Sequence, residues 1–276
     1  MNLVWAILIA VGAVCVTVTA MLLVRRQAPV GGYFTSGDRA SGVFGVLATG
    51  FSVLLGFIVF LAFTSYDQSR SGAESEALIT TQQVETAQLL PPAIARDLTG
   101  DLICYARSVV HGEWPQMENG TLAESFNPWA VAMFNTIRSY EPETNREQAA
   151  YGQWLSQTSA REEARRDRIH GAVGVIPPSV WIVLFVIGGV IFAFMLFFAD
   201  AEEGPITQAM LMGSVTLTMV ALFLVIRALD TPFHAGVGGL RPVAMERAIG
   251  NMDRGLAVIG GTVPIPCDGA GAAAKP

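Results

Sequence analysis

The chain has 276 residues, of which 52% are hydrophobic and only 14% charged, and its mean hydropathy is +0.46. Soluble domains carry about 25% charged residues, so this composition argues against a soluble protein and indicates a lipid bilayer as the main partner. The net charge of −6 argues against a nucleic-acid partner, which favours a basic protein face.

Four uncharged segments are long enough to cross a membrane, which needs about 20 apolar residues in a helix. They are Leu3 to Val24, Gly42 to Thr64, Ser179 to Ala199, and Ile206 to Ile226. A backbone in lipid must satisfy its own hydrogen bonds, so each segment is predicted to be a transmembrane helix. The first is not expected to be a cleaved signal peptide, because Arg25 and Arg26 follow it instead of preceding it.

The second span carries two candidate functional faces. Small residues recur on one face every three or four positions: Gly42, Gly45, Thr49, Ser52 and Gly56. Such residues either let helices pack closely in lipid or line a pore with hydroxyls and backbone. Phe44, Phe51 and Ile58 recur every seven residues and are candidates for a hydrophobic constriction.

An insert of residues 65–178 separates the second and third spans and holds 15 of the 23 acidic residues. Its pattern predicts helices broken by prolines. The second span is expected to continue as one helix to Leu90. Further helices are predicted from Ala93 to Val110, from Pro128 to Ser139 and from about Thr144, with a break at 111–115. The mixed charges of 161–168 are typical of a solvated helix face.

The fourth span is followed by Arg227 and Asp230, which are three residues apart. They form either a capped helix end with a snorkelling arginine or a ring of interface charge at a pore mouth. The small-residue tail, 269–276, is predicted to be disordered.

These elements predict an all-α integral membrane protein in four parts. Residues 1–64 hold transmembrane helices 1 and 2, and 65–178 form the helical extramembrane insert. Residues 179–234 hold helices 3 and 4, and 235–276 form a C-terminal segment with a disordered tail.

The orientation prediction depends on arginines near the span ends. The first loop holds Arg25, Arg26 and Arg39, and the third loop holds none. The opposite side holds eight: Arg70, Arg161, Arg165, Arg166, Arg168, Arg227, Arg241 and Arg247. The termini and the insert are therefore expected in the cytoplasm of a multi-pass protein of the bacterial inner (plasma) membrane, although the Arg25–Arg26 pair opposes this orientation.

Enzymatic motifs are not found in the sequence: it holds no phosphate-binding GxxxxGK[ST], no zincin helix and no GxSxG elbow. The histidines are widely separated, so no metal site, cofactor or catalytic residue is predicted. Cys15, Cys104 and Cys267 form an odd set without paired spacing, which does not predict a disulfide framework and is typical of a reducing compartment.

Several motifs resemble the bestrophin-like family of bacterial membrane proteins, a domain of unknown function. The most specific are Glu113-Trp114-Pro115 and Leu229-Asp230-Thr-Pro-Phe233. Others are Gly56-Phe57 with Tyr66, Glu76-Ala77, Leu90-Pro91, Tyr105-Ala-Arg-Ser-Val-Val110, Arg168-Ile169, and Ile176-Pro177 with Trp181. The resemblance spans about Phe44 to Pro242.

Kinship with bestrophin anion channels would imply an oligomeric, anion-permeable pore lined mainly by the second span. The acidic loop from Asp200 to Glu203 does not match the calcium clasp of true bestrophins, so no ligand residues are transferred. The leading hypothesis is a homo-oligomeric ion channel for an inorganic anion. The alternative is a non-conducting scaffold or sensor whose insert recruits a partner through the charged helix at 161–168.

Overall fold

The computed structural model describes residues 3–34, 36–121, 126–259 and 263–274, with only the backbone for 256–259. Across these residues the regular structure is helical, apart from an isolated β-bridge between Cys267 and Ala273. The helices are α1 Leu3–Gln27, α2 Gly37–Ala87, α3 Pro92–Ser108, α4 Trp114–Glu118, α5 Pro128–Arg138, α6 Asn145–His170, α7 Pro178–Leu196, α8 Pro205–Asp230 and α9 Val243–Ile259. The all-α fold class is confirmed.

Four helices among the described residues are long and apolar enough to cross a bilayer, and they correspond to the predicted spans. These are α1, α2, α7 and α8. With 51 residues, α2 is about 75 Å long, more than twice the hydrocarbon thickness of a membrane. The predicted continuation of the second span as a single helix is therefore confirmed.

The chain divides into two compact units. The apolar unit contains Met1–Ser65, Val175–Asp230 and Ala235–Gly238, and the polar unit contains Tyr66–Gly174, Thr231–His234 and Gly239–Pro276. Helix α2 contributes to both units. The residues after 238, which were expected to form a separate segment, belong to the polar unit and include a helix, α9, that the sequence analysis missed.

One face of α2 forms the core of the apolar unit with α7 and α8. Phe51, Leu55 and Ile58 are 4–5% exposed and cluster with Leu184, Ile191 and Ile226. Helix α1 lies against α8, where Gly213 allows Val14 and Val18 to approach closely. Small residues thus bring these helices together, as apolar packing in lipid requires.

The loops at one end of the apolar unit are joined by Arg25. Its guanidinium donates to the carbonyl of Ala201 at 3.1 Å and, through Nε, to the carbonyl of Glu203 at 3.0 Å. The loop after α1 and the loop between α7 and α8 therefore lie together.

The polar unit is built around α3, which is buried along most of its length. Leu98, Leu102 and Tyr105 have no exposed surface, and Trp114, Met133 and Trp154 pack in the same core. The predicted break at 111–115 is wrong in form: the chain passes through a π-helical turn, Val109–Glu113, directly into α4. The predicted helices at 128–139 and from 144 correspond to α5 and α6.

The C-terminal segment, residues 263–274, differs from the expected disordered tail. Asp268 accepts hydrogen bonds from the backbone N–H groups of Ala270 and Ala272, both at 2.9 Å, which closes a tight turn. Residues 275 and 276 of the predicted tail lie outside the described residues. A disulfide, which the cysteine spacing did not predict, joins Cys267 to Cys104 of α3; Cys15 is free.

Gly72 of α2 marks the closest approach of α2 to α6. A Cβ atom at this position would meet the backbone nitrogen of Arg168 and lie 2.7 Å from the carbonyl oxygen of Ala164. Because these atoms belong to a helix backbone, they cannot move aside without shifting α6.

Replacing Gly72 by alanine should therefore lower the stability of the protein by about 1–3 kcal/mol, the usual cost of overpacking. Gly152 of α6 is the matched control, since it is exposed and has open space around it. Gly152→Ala should raise stability by about 0.5–1 kcal/mol through helix propensity. Thermal unfolding in detergent, followed by circular dichroism, checks both; equal shifts would contradict the close approach.

Candidate functional site

The small-residue face of α2 is exposed in the apolar unit. Gly45, Thr49, Ser52 and Gly56 all lie on the surface, and no other atom lies within 4 Å of a Cβ built on either glycine. The opposite face is filled by Phe51 and its neighbours. Within the described part of the subunit, the two glycines of this face therefore have no packing partner.

The two aromatic candidates, Phe44 and Phe51, lie elsewhere. Phe51 is buried, with its ring 6.4 Å from that of Phe223 in α8. Phe44 is half-buried and stacks 5.9 Å from Phe194 of α7. Both rings thus fill space between helices of one subunit.

A cavity of about 290 Å³ lies where α2 meets α7 and α8. Three hydroxyl side chains line it together with Phe44 and Phe51: Ser52, Ser214 and Thr218. Ser52 donates to the carbonyl of Ala48 at 2.8 Å, and Thr218 donates to that of Ser214 at 2.9 Å. Each of these two hydroxyls donates its proton to a carbonyl of its own helix. Its oxygen lone pairs therefore stay available as acceptors toward the cavity.

The predicted pair of Arg227 and Asp230 is present but loose, with 4.0 Å between Nη1 and Oδ2. Asp230 is buried, and its other oxygen accepts the backbone N–H groups of Val175 and Ile176 at 2.8 and 2.9 Å. Its main structural role is therefore to fix the turn that leads into α7. The Arg227 side chain is 57% exposed.

A buried cluster of four charged groups lies in the polar unit, formed by Glu76 of α2, Glu113 of the π-helical turn, and Arg165 and Arg168 of α6. The Arg168 guanidinium binds both carboxylates: it donates through Nη2 to Glu76 Oε1 at 3.1 Å and to Glu113 Oε2 at 2.6 Å, and through Nε to Glu76 Oε2. Arg165 adds a contact of 3.1 Å to Glu113. Two positive and two negative charges make the cluster neutral.

Neutral side chains complete the hydrogen bonding of the cluster. The Tyr105 hydroxyl donates to Glu76 at 2.5 Å, and the Asn127 amide donates to Glu113 at 3.1 Å. A further buried arginine, Arg161, donates to Gln83 at 2.7 Å and lies over the Tyr105 ring at 4.6 Å. Buried charges need such partners because an unsatisfied one costs several kcal/mol.

The π-helical turn places Glu113 in the cluster. Its wider turn, closed by the Trp114 N–H donating to the Val109 carbonyl, changes the direction in which the following side chains point. As a result Glu113 and Trp114 are only 7% and 3% exposed. The Trp114 indole also packs edge-on against Phe233 at 5.3 Å. The two most specific family motifs therefore meet at this point.

The electrostatics keep the cluster charged. Burial alone would raise the pKa of Glu113, but Arg168 and Arg165 outweigh it and hold that pKa below its usual value. Burial likewise disfavours the charged form of Arg168, but Glu76 and Glu113 raise its pKa above the usual range. Burial raises the pKa of Tyr105, with a smaller contribution from Glu76, so its hydroxyl keeps the proton that it donates. These groups therefore do not change charge near neutral pH.

Sequence reasoning missed this cluster because it assigned the arginines of α6 to a solvated face. That interpretation is wrong for Arg161 and Arg168, which are 1% and 0% exposed. The available signal was their spacing of seven residues, which places them on the face that also carries Trp154 and Ala164. Among the described residues, no group of three or more His, Cys, Asp or Glu side chains is placed to hold a metal ion.

The fold defines a helical membrane protein, and comparison with known proteins identifies its family. The model of the Bestrophin-like domain matches residues 37–244, most of the chain, so the protein belongs to the bestrophin-like family. A search of curated proteins found no match.

Solved structures share the fold. Two are crystal structures of single-substitution variants of a bacterial bestrophin homologue from Klebsiella pneumoniae. One has a TM-score of 0.67 at 12% identity and covers 92% of this chain and 99% of that one. The other has a TM-score of 0.68 at 14% identity, with coverages of 88% and 98%.

Arg168→Gln should destabilise the protein strongly, because it leaves Glu76 and Glu113 buried without their main counter-charge. The expected loss is about 3–5 kcal/mol. Arg166→Gln is the matched control two residues away, since Arg166 is exposed, and it should change stability by less than about 0.5 kcal/mol. Thermal unfolding in detergent measures both; similar losses would show that the cluster contributes no special stability.

Asp101 of α3 should make stability depend on pH. It is 8% exposed, and burial, helped by the charge of Asp97, raises its pKa from 3.8 to about 6. Between these values the folded protein holds a proton that the unfolded chain releases, so stability falls as pH rises from about 4 to 6.

Asp101→Asn removes this penalty and should therefore stabilise the protein by on the order of 2 kcal/mol above pH 7, but not near pH 4. Glu118→Gln, at an exposed carboxylate, serves as the control. Unfolding temperatures across this pH range test the prediction; a gain that is the same at both pH values would contradict it.

Proposed function

We propose that this protein is the subunit of a homo-oligomeric ion channel, and that the small-residue face of α2 lines the shared pathway. The observation that carries the proposal is the exposure of Gly45, Thr49, Ser52 and Gly56 beside a fully packed opposite face. Membership of a family related to bestrophin channels supports it.

The pathway is placed between subunits because the interior of one subunit is too small. Phe51, Leu55 and Ile58 fill the space between α2, α7 and α8, and the hydroxyl-lined cavity holds only about 290 Å³. A ring of subunits would bring the α2 faces together around a common axis. Small residues at such an axis leave room for an ion and its water.

The pathway would be lined by hydroxyls and backbone groups, because the second span contains no charged side chain. This chemistry suits a weakly held, rapidly moving ion. The family relationship favours an inorganic anion as the permeant species. Nothing in this proposal requires an enzymatic activity.

A specific finding weighs against the scaffold alternative. Its expected contact surface was the charged helix at 161–168, yet Arg161 and Arg168 are buried and Arg165 pairs with Glu113. Three of the four arginines of that surface therefore stabilise the fold instead of facing a partner.

The test measures the mass of the purified particle and the ion flux that it carries. The protein in nanodiscs should have the mass of a discrete oligomer, and in liposomes it should carry ion flux. Ser52→Phe should reduce the flux at least several-fold by filling the pathway. Val53→Phe is the matched control, because Val53 is exposed on a different face of α2 and should leave the flux unchanged. The reversal potential in a KCl gradient reports whether the ion is an anion.

Two results would contradict the channel. A monomeric particle excludes a pore between subunits, and equal flux in the two variants removes the small-residue face from the pathway. A stable oligomer without flux would instead favour the scaffold.

A further inference from the structure

We infer that the polar unit lies on the oxidising side of the membrane, where the Cys104–Cys267 disulfide fastens the C-terminal segment onto α3. This orientation is the reverse of the one expected from the arginine count. It does not depend on the proposed channel function.

The C-terminal segment is built into the polar unit on both sides of the disulfide. Before it, the carbonyl of Pro264 lies against Gly100, where a Cβ atom would clash. After it, the Trp129 indole donates to the carbonyl of Gly271 at 2.7 Å. Cys104 has no exposed surface and Cys267 only 8%. Packing on either side thus holds the two sulfur atoms together.

A second glycine, in the C-terminal segment itself, also permits the segment to lie against α3. Gly271 has a φ of +79° and lies against the backbone of Arg107 and Ser108. Arg107 also donates to the carbonyl of Asp268 at 3.3 Å. A side chain at position 271 would be both strained and in collision with α3, so the segment fits this one site.

The disulfide itself indicates the compartment. Its formation removes two protons and two electrons from the two thiols, and the disulfide of a thiol–disulfide oxidoreductase accepts them to become a dithiol. Such exchange runs toward disulfides in the periplasm or at the cell surface and toward thiols in the cytosol. A buried disulfide such as this one is therefore expected on the outer side.

The arginine count does not oppose this orientation once the structure is considered. Three of the insert arginines, Arg161, Arg165 and Arg168, are engaged within the folded unit and do not present free charge. Segments longer than about 60 residues also cross largely regardless of charge, and the insert is such a segment. With the insert set aside, Arg25, Arg26 and Arg39 of the first loop equal in number the three arginines that follow α8, so the count no longer favours a cytoplasmic polar unit.

The loop contacts agree with this assignment. Arg25 binds the loop between α7 and α8, so both short loops lie at one end of the apolar unit. With that end in the cytoplasm, α2 and α8 each carry the chain across the membrane to its outer side.

The first test measures the thiols in cells. The full-length Cys15→Ser protein is denatured in acid directly from growing cells and treated with a polyethylene-glycol maleimide. No mass shift is expected without reductant, and a shift of two adducts is expected after reduction. Two adducts without reductant would overturn the inference.

The second test determines the side of the membrane directly. Glu141→Cys in the polar unit and Glu202→Cys between α7 and α8 each place a thiol at an exposed position in the Cys15→Ser background, with the native disulfide kept. A membrane-impermeant maleimide should label the Glu141→Cys protein in intact spheroplasts and the Glu202→Cys protein only after permeabilisation. The opposite pattern, or labelling of both in intact spheroplasts, would overturn the inference.

Discussion

The ion cluster around Arg168 is the constraint on which the polar unit depends. One guanidinium joins a carboxylate of α2 to a carboxylate of the π-helical turn, and so fixes α6 between them. The close approach at Gly72 and the inward turn of Glu113 both serve this geometry. Since the charges balance and each has several hydrogen bonds, the cluster is tolerated beside the apolar side chains of the core.

Much of the fold could be predicted because membrane helices follow from local composition. Uncharged segments of about 20 residues locate α1, α2, α7 and α8, and Pro91-Pro92 locate the end of α2 and the start of α3. Helix α9 and the ordered C-terminal turn were missed, because short amphipathic or small-residue segments gain their order from tertiary contacts. Those contacts, such as Trp129 with Gly271, are distant in sequence.

One of the two candidate sites could be predicted from the sequence, and the other could not. The small-residue face of α2 follows from helical periodicity alone, and the structure leaves it exposed. The buried cluster could not be derived, since charge pairs 52 to 92 residues apart carry no local signal, and arginine is rarely buried. The π-helical turn adds to the difficulty, because a shift of one residue in register decides whether Glu113 faces water or the core.

The position of Cys267 has a consequence for biogenesis. The bond from Cys104 to Cys267 encloses a covalent loop that contains both α7 and α8. The core helix α3 leaves the ribosome early, but the segment that covers it comes more than 160 residues later. Folding of the polar unit therefore cannot be completed during translation of the insert and must await membrane insertion of the last two helices. Until then α3 presents an uncovered surface that a chaperone would have to protect.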